Sequence, residues 1–220
     1  MHNREIFVTS CASGPAFEGY QVRCGMKAAE GAIERVSFGS DGRPEVIQTI
    51  GGLAPVGICG SGVVDVLAGL LLRGIVDRTG RMHEHQLVRR GSRGVEYRVA
   101  AGPDGEDIVF TQNDVRALQL AKGAIAAGWS LLLERHGLEP SDLTRLYVAG
   151  AFGNYLSRES ALAIGLLPPI SRERISFVGN AAGVGAQMAL HDHPLPSGTT
   201  DSLVSRQFLR GGKRWGIPRR

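Results

Sequence analysis

Three glycine-rich segments each separate a short apolar run from a stretch of small-residue helix, and they restrict this chain to few folds. Gly57-Ile58-Cys59-Gly60-Ser61-Gly62 leads into the helical pattern Val63–Arg73. Leu146-Tyr147-Val148-Ala149 runs into Gly150-Ala151-Phe152-Gly153-Asn154, and Ile175–Val178 meets Gly179-Asn180-Ala181-Ala182-Gly183-Val184-Gly185-Ala186. Glycine opens the left-handed region of backbone space and lets another backbone or a ligand reach the amides. A helix that starts behind such a turn presents unpaired N–H groups and a partial positive charge, which favour an anion. With 31 Gly and only 6% aromatic residues, the chain is suited to close helix–strand packing rather than to a large aromatic core or an all-β sandwich. The class expected is α/β. Tight helix–sheet packing alone also explains such glycines, and each junction taken singly is a weak sign of a ligand.

The remaining pattern fills in that frame. Ile6–Ser10 reads as a strand. Ala32–Phe38 and Val46–Ile50 read as two more around the turn Ser40-Asp41-Gly42-Arg43-Pro44. Ser61 is the expected N-cap of the helix to Arg73, and Gly74 its C′ residue. Residues 83–110 read as an inserted excursion, with Val95–Ala100 and Asp107–Phe110 pairing as a hairpin. Thr111 and Asp114 form a capping-box start to a long helix. Its apolar positions Val115, Leu118, Ala121, Ile125, Trp129 and Leu132 recur at three- and four-residue steps, and it ends at Gly137. Ser157 is expected to cap a short helix, Glu159–Ile164. From His191 onward Pro, Gly, Ser and Thr dominate. The domain is therefore expected to span residues 1–192, with 193–220 a basic tail lacking packed structure.

Charge, cysteine and hydropathy exclude several function classes. The formal charge is +4, but Arg206, Arg210, Lys213, Arg214, Arg219 and Arg220 supply six positive charges in the tail. Without them the body is slightly acidic, so no broad basic field for nucleic acid is present. Cys11, Cys24 and Cys59 are odd in number and show no CxxC spacing, which implies neither a disulfide framework nor a zinc site. They are expected to be small buried hydrophobes. His83 and His85 have no third ligand at a suitable spacing, so no metal site is expected. No apolar run approaches a membrane span, no leader pattern opens the chain, and a cytoplasmic protein is expected. GxGxxG is not met in order and GxxxxGK[ST] is absent, which argues against a dinucleotide fold or a P-loop.

More specific stretches carry a resemblance. Tyr147-Val148-Ala149-Gly150-Ala151-Phe152-Gly153-Asn154 resembles the adenosine motif of the acetate and sugar kinase, heat-shock and actin superfamily. Gly179–Ala186 resembles that superfamily's second connecting helix, where small side chains let two lobes hinge. Cys11-Ala12-Ser13-Gly14-Pro15-Ala16-Phe17-Glu18-Gly19 with Cys24-Gly25-Met26, Gly57–Gly62, and Thr111–Arg116 with Gln119-Leu120-Ala121-Lys122 are similar to the C-terminal domain of the reductive activators of corrinoid proteins. The resemblance runs from about residue 5 to about residue 190. It implies a ribonuclease H-like, actin-like ATPase lobe with a mixed sheet flanked by helices, and a nucleotide, ATP or ADP with Mg²⁺, as cofactor. The binding residues it implies are Gly150, Ala151, Phe152, Gly153 and Asn154, supported by Gln119 and Lys122 and by Gly60, Ser61, Gly179, Asn180 and Gly183. The partner implied is a corrinoid protein. In that family a ferredoxin-type domain with an iron–sulfur cluster supplies the electron that returns cobalt(II) to cobalt(I).

The chain departs from the pattern. The Asp-x-Gly-Thr phosphate motifs of the superfamily are absent, as are the ferredoxin cysteines. The expected fold is thus a last lobe lacking its first hairpin, with its ATPase partner lobe and ferredoxin domain supplied from elsewhere. Its open sheet edge would recruit a strand, from a second copy of the chain among others. Hydrolysis by this chain alone is not expected. Glu18 is the one acid to watch as a catalytic substitute, and a structural hydrogen bond to its turn is the alternative reading. The competing functional class is a non-catalytic module that docks a corrinoid protein or dimerises.

Overall fold

The computed structural model describes residues 6–91, 94–150, 155–191, 207–210 and 213–215. In chain order, β1 is Phe7–Thr9, β2 Ala32–Phe38, β3 Pro44–Thr49 and β4 Gly57–Ile58, followed by α1, Gly60–Leu72. Next come β5 Val88–Gly91, β6 Gly94–Ala101, β7 Asp107–Thr111 and the long helix α2, Gln112–Arg135. Strand β8 is Leu146–Ala149, α3 Arg158–Ala163, β9 Ile175–Gly179 and α4 Ala181–His191. The strands form small separate sheets rather than one continuous sheet: β3-β2-β4, the meander β5-β6-β7, and the parallel pair β8-β9.

Helix α1 is the centre of the core. Every residue from Gly60 to Leu70 is buried, as expected for a helix that is apolar all round and covered on all sides. It packs on β2 and on α3. Two glycines set its distance from β2. A Cβ on Gly62 would overlap the Ile33 carbonyl oxygen, and one on Gly69 would overlap the Phe38 ring. The single charge in the helix is Asp65, buried to 5% exposure. Its carboxylate accepts the Val36 N–H at 3.2 Å and the Ser160 hydroxyl at 2.6 Å. One side chain thereby ties β2, α1 and α3 together. Burial pushes the Asp65 carboxyl above its usual range, against the pull of these two donors.

Helix α2 starts from a complete capping box. The Thr111 hydroxyl accepts from Asp114 N, and Asp114 accepts from Thr111 N at 2.8 Å. The other Asp114 oxygen accepts from Arg23 N at 2.8 Å, so the same side chain anchors the loop before β2. Buried Tyr97 reaches from β6 to the Gly42 carbonyl at 2.7 Å and fastens the β5-β6-β7 meander to the β2–β3 turn.

Several expectations need correction. Cys59, not Ser61, is the N-cap of α1, because the chain leaves extended geometry one residue before the serine could occupy that position. Gly74 does stand just past the helix with φ of 69°. Of the three cysteines only Cys59 is buried, while Cys11 is exposed and Cys24 half-buried. The tail was expected to lack packed structure, yet Gln207–Arg210 (β10) and Lys213–Trp215 (β11) are strands. β10 runs parallel to β1, and β11 antiparallel to β10. β1 has no other strand beside it among the described residues. No described helix is long and apolar enough to cross a membrane.

Candidate functional site

A cavity of about 640 Å³ opens at the N-terminus of α1, within the range of small-molecule sites. Gly60 and Ser61 form one wall and Phe17, Glu18 and Tyr20 another. Ile125 of α2 and Val148 of β8 contribute, and Tyr155, Leu156, Leu166 and Leu167 complete the lining. The surface is predominantly apolar, with Ser13, Glu18, Lys27, Glu34 and Ser61 as its polar points. Such a lining suits a flat, largely apolar ring held by a few directional groups.

The polar wall comes from the local fold of residues 57–62. Cys59 caps α1 without a side-chain bond to the first turn. Its Sγ instead donates to the Ile33 carbonyl at 3.3 Å and lies 3.5 Å from the Ser61 hydroxyl. Among the described residues the first-turn amides of this 13-residue helix have no side-chain acceptor, and they lie beside a cavity at the positive end of the helix dipole. Glu18 sits in a short 3₁₀ turn, Ala16–Glu18, that Gly19 closes with φ of 86°. It is exposed on the cavity wall, and Lys27 and Glu34 are the other charged residues of the lining.

The candidate residues fall into separate groups. Glu18, Gly60 and Ser61 share the cavity, and Val148 and Tyr155, which flank the 150–154 turn in sequence, line it with them. Gly150 has φ of 107°, and its N–H donates to the Gly179 carbonyl at 2.7 Å, joining the ends of β8 and β9. Asn180 accepts the Gly183 N–H at 3.1 Å, spending its side-chain oxygen on the first turn of α4. Ala151, Phe152, Gly153 and Asn154 lie outside the described residues. Gln119 and Lys122 do not line the cavity. The Gln119 amide donates to the Thr79 carbonyl at 2.9 Å, and the Lys122 ammonium to the Ile164 carbonyl at 2.6 Å. Both are engaged in holding neighbouring loops.

Phe17, Ile125, Tyr155, Leu156, Leu166 and Leu167 are not among the binding residues expected from sequence, because an apolar residue on a cavity wall has the same local signature as one in a core. Tyr155 is the exception that could have been found, since it directly follows the glycine turn. Among the described residues no cluster of three or more His, Cys, Asp or Glu could hold a metal ion. Mg²⁺ is commonly held by one or two carboxylates together with phosphate and water, and the carboxylates that the cavity offers are Glu18 and Glu34.

Comparison with known proteins places the chain in a family. Residues 1–199 match the model described as the C-terminal domain of RACo, the ASKHA domain. The corrinoid activation enzyme RamQ of Eubacterium limosum is 42% identical over 201 residues, covering 84% of this chain and 33% of that protein. The [Co(II) methylated amine-specific corrinoid protein] reductase of Methanosarcina barkeri is 25% identical over 205 residues, covering 84% of this chain and 35% of that protein. A solved structure of a reductive activator for corrinoid, iron–sulfur protein superposes with a TM-score of 0.80 at 39% identity, over 91% of this chain and 33% of that one. The chain thus spans about a third of the length of these relatives. It belongs to the family of RACo C-terminal ASKHA domains.

Proposed function

We propose that this chain is the nucleotide-binding C-terminal lobe of an ATP-dependent reductive activator of a corrinoid protein, acting in the cytoplasm. The observation that carries the reading is the cavity that joins the open N-terminus of α1 to the apolar walls at Val148 and Tyr155. The apolar walls would take the adenosine, and the Gly60 and Ser61 amides would face its negative oxygens. Relatives named as a corrinoid activation enzyme and as a reductase of a corrinoid protein support the choice of partner.

The chain's own residues bind and orient; they do not complete hydrolysis. Phosphoryl transfer depends on charge neutralisation and on a positioned water. The cavity offers Glu18 and Glu34 as its carboxylates, and the Glu34 side chain already accepts from Gln48 at 3.1 Å. Hydrolysis then requires groups from outside these residues, as does the iron–sulfur electron source. Calorimetry with ADP tests the binding step. Binding should weaken by about tenfold in Ser61→Leu, which fills the cavity, a loss of about 1.4 kcal/mol. No heat of binding from the parent chain, alone or mixed with the preceding two thirds of a relative, would refute it.

The exposed apolar helix α4 favours a second reading, a non-catalytic lobe that docks a corrinoid protein or a second copy. Capture of a corrinoid protein at equal affinity by the parent and by Ser61→Leu, with no ADP binding in either, would select it.

A further inference from the structure

A second cleft, of about 710 Å³, lies away from the cavity between the loop 76–83, the start of α2 and the edge of the meander. Its lining is polar and includes Arg81, Arg90, Arg116, His83 and Glu84. The loop that forms one wall is built to hold its shape. One Asp77 oxygen accepts from Thr79 N at 2.8 Å, the Thr79 hydroxyl at 2.6 Å and Arg81 N at 3.1 Å, and the other contacts His83 Nε2 at 2.7 Å. Two glutamines of α2 clamp the loop from below. Gln112 accepts from Met82 N and donates to the Gly80 carbonyl, each at 2.7 Å, and Gln119 donates to the Thr79 carbonyl. Gly80, with φ of 82°, leaves no room for a Cβ against Gln119.

This clamped loop holds the backbone of exposed Arg81 in a cleft that exposed Arg116 also lines. Neither guanidinium has an ion pair among the described residues. Arg90 meets Glu84 at 3.9 Å, with Glu84 fully exposed, a weak contact. Asp77 is occupied within its loop. Three guanidiniums therefore face one loosely held carboxylate, on a protein body that is otherwise slightly acidic.

We propose that this cleft docks an acidic segment of a partner protein, with Arg81 and Arg116 taking its carboxylates. Planar guanidinium forks bind carboxylates in pairs of parallel hydrogen bonds. A nucleic-acid backbone is the poorer fit, because it needs a continuous cationic track. Arg89 and Arg98, next along the meander, are already neutralised by Glu96 and Asp107. The proposal does not depend on nucleotide binding, since the cavity and the cleft share no lining residue.

The test is fluorescence anisotropy of the full chain with a labelled peptide of about twelve residues rich in glutamate, at rising salt. Binding should weaken steadily with salt and fall by about tenfold in R81E/R116E. R145E, an exposed charge reversal elsewhere, should bind nearly as the parent does. R81Q/R116Q, which removes charge without adding repulsion, should also bind more weakly and serves if the reversal variant folds poorly. Unchanged binding in R81Q/R116Q overturns the proposal, as does an equal loss in R145E. A single-stranded DNA oligonucleotide of matched charge that binds more tightly than the peptide, and loses affinity in the same variants, overturns it in favour of a phosphate backbone.

Discussion

Helices α1 and α4 begin alike and are treated in opposite ways by the rest of the chain. Each follows a short strand through glycine, and each is built from small and aliphatic residues. From Gly60 to Leu70 α1 is wholly buried. None of the described side chains of α4 is buried, and Val184, Met188 and Leu190 are 49%, 63% and 75% exposed. Their starts differ as well. α4 takes a side-chain bond from Asn180, while α1 has none and opens on a cavity. Composition alone therefore does not decide burial. A helix of apolar residues is a core element only where strands and helices cover it, and α1 has β2 and α3 where α4 has no comparable neighbour among the described residues.

Substitutions should separate the two helices by magnitude. The largest effect is expected for Leu70→Ala in α1, which empties a fully buried site and should cost about 2–5 kcal/mol in chemical denaturation. Asp65→Ala comes next, at about 1–3 kcal/mol, because it strands the Val36 N–H and the Ser160 hydroxyl in the interior. Asp65→Asn adds a pH signature. The folded carboxyl titrates above its unfolded value, so its contribution is full below the unfolded pKa and is lost as pH rises through the folded one. The parent should therefore lose ground to Asp65→Asn as pH climbs above about 4, read as the difference in Tm. Asn180→Ala should cost about 0.5–1 kcal/mol at most and show itself as faster amide exchange in the first turn of α4. Met188→Ala should stay within about 0.5 kcal/mol of the parent. A loss as large as that of Leu70→Ala would show that α4 is covered in solution and break the contrast.

What was legible in the sequence follows the range of each interaction. The capping box at Thr111 and Asp114, the hairpin of β6 and β7, and Ser157 at the start of α3 all depend on residues a few positions apart. Each was read correctly from local pattern. Gln119 and Lys122 show the limit. Their three-residue spacing correctly places them on neighbouring turns of one helix, but their partners are the carbonyls of Thr79 and Ile164, each 40 or more positions away. The same limit hid the cavity, whose walls come from stretches scattered between Ser13 and Leu167. It also hid the pairing of β10 with β1 across nearly the whole sequence. The cap at Cys59 was missed for another reason. Cysteine is not a capping residue, and its sulfur bonds across to the Ile33 carbonyl instead of its own helix.

The absent side chains at Gly62 and Gly69 make the contact between α1 and β2 a rigid coupling. Where long side chains separate two elements, a small displacement of one is absorbed by rotamer changes in the other. Here backbone meets the Ile33 carbonyl, and backbone meets the Phe38 ring, so there is little slack to absorb anything. A shift of β2 is handed on to the whole of α1, and the amides of Gly60 and Ser61 travel with it as the tip of a lever.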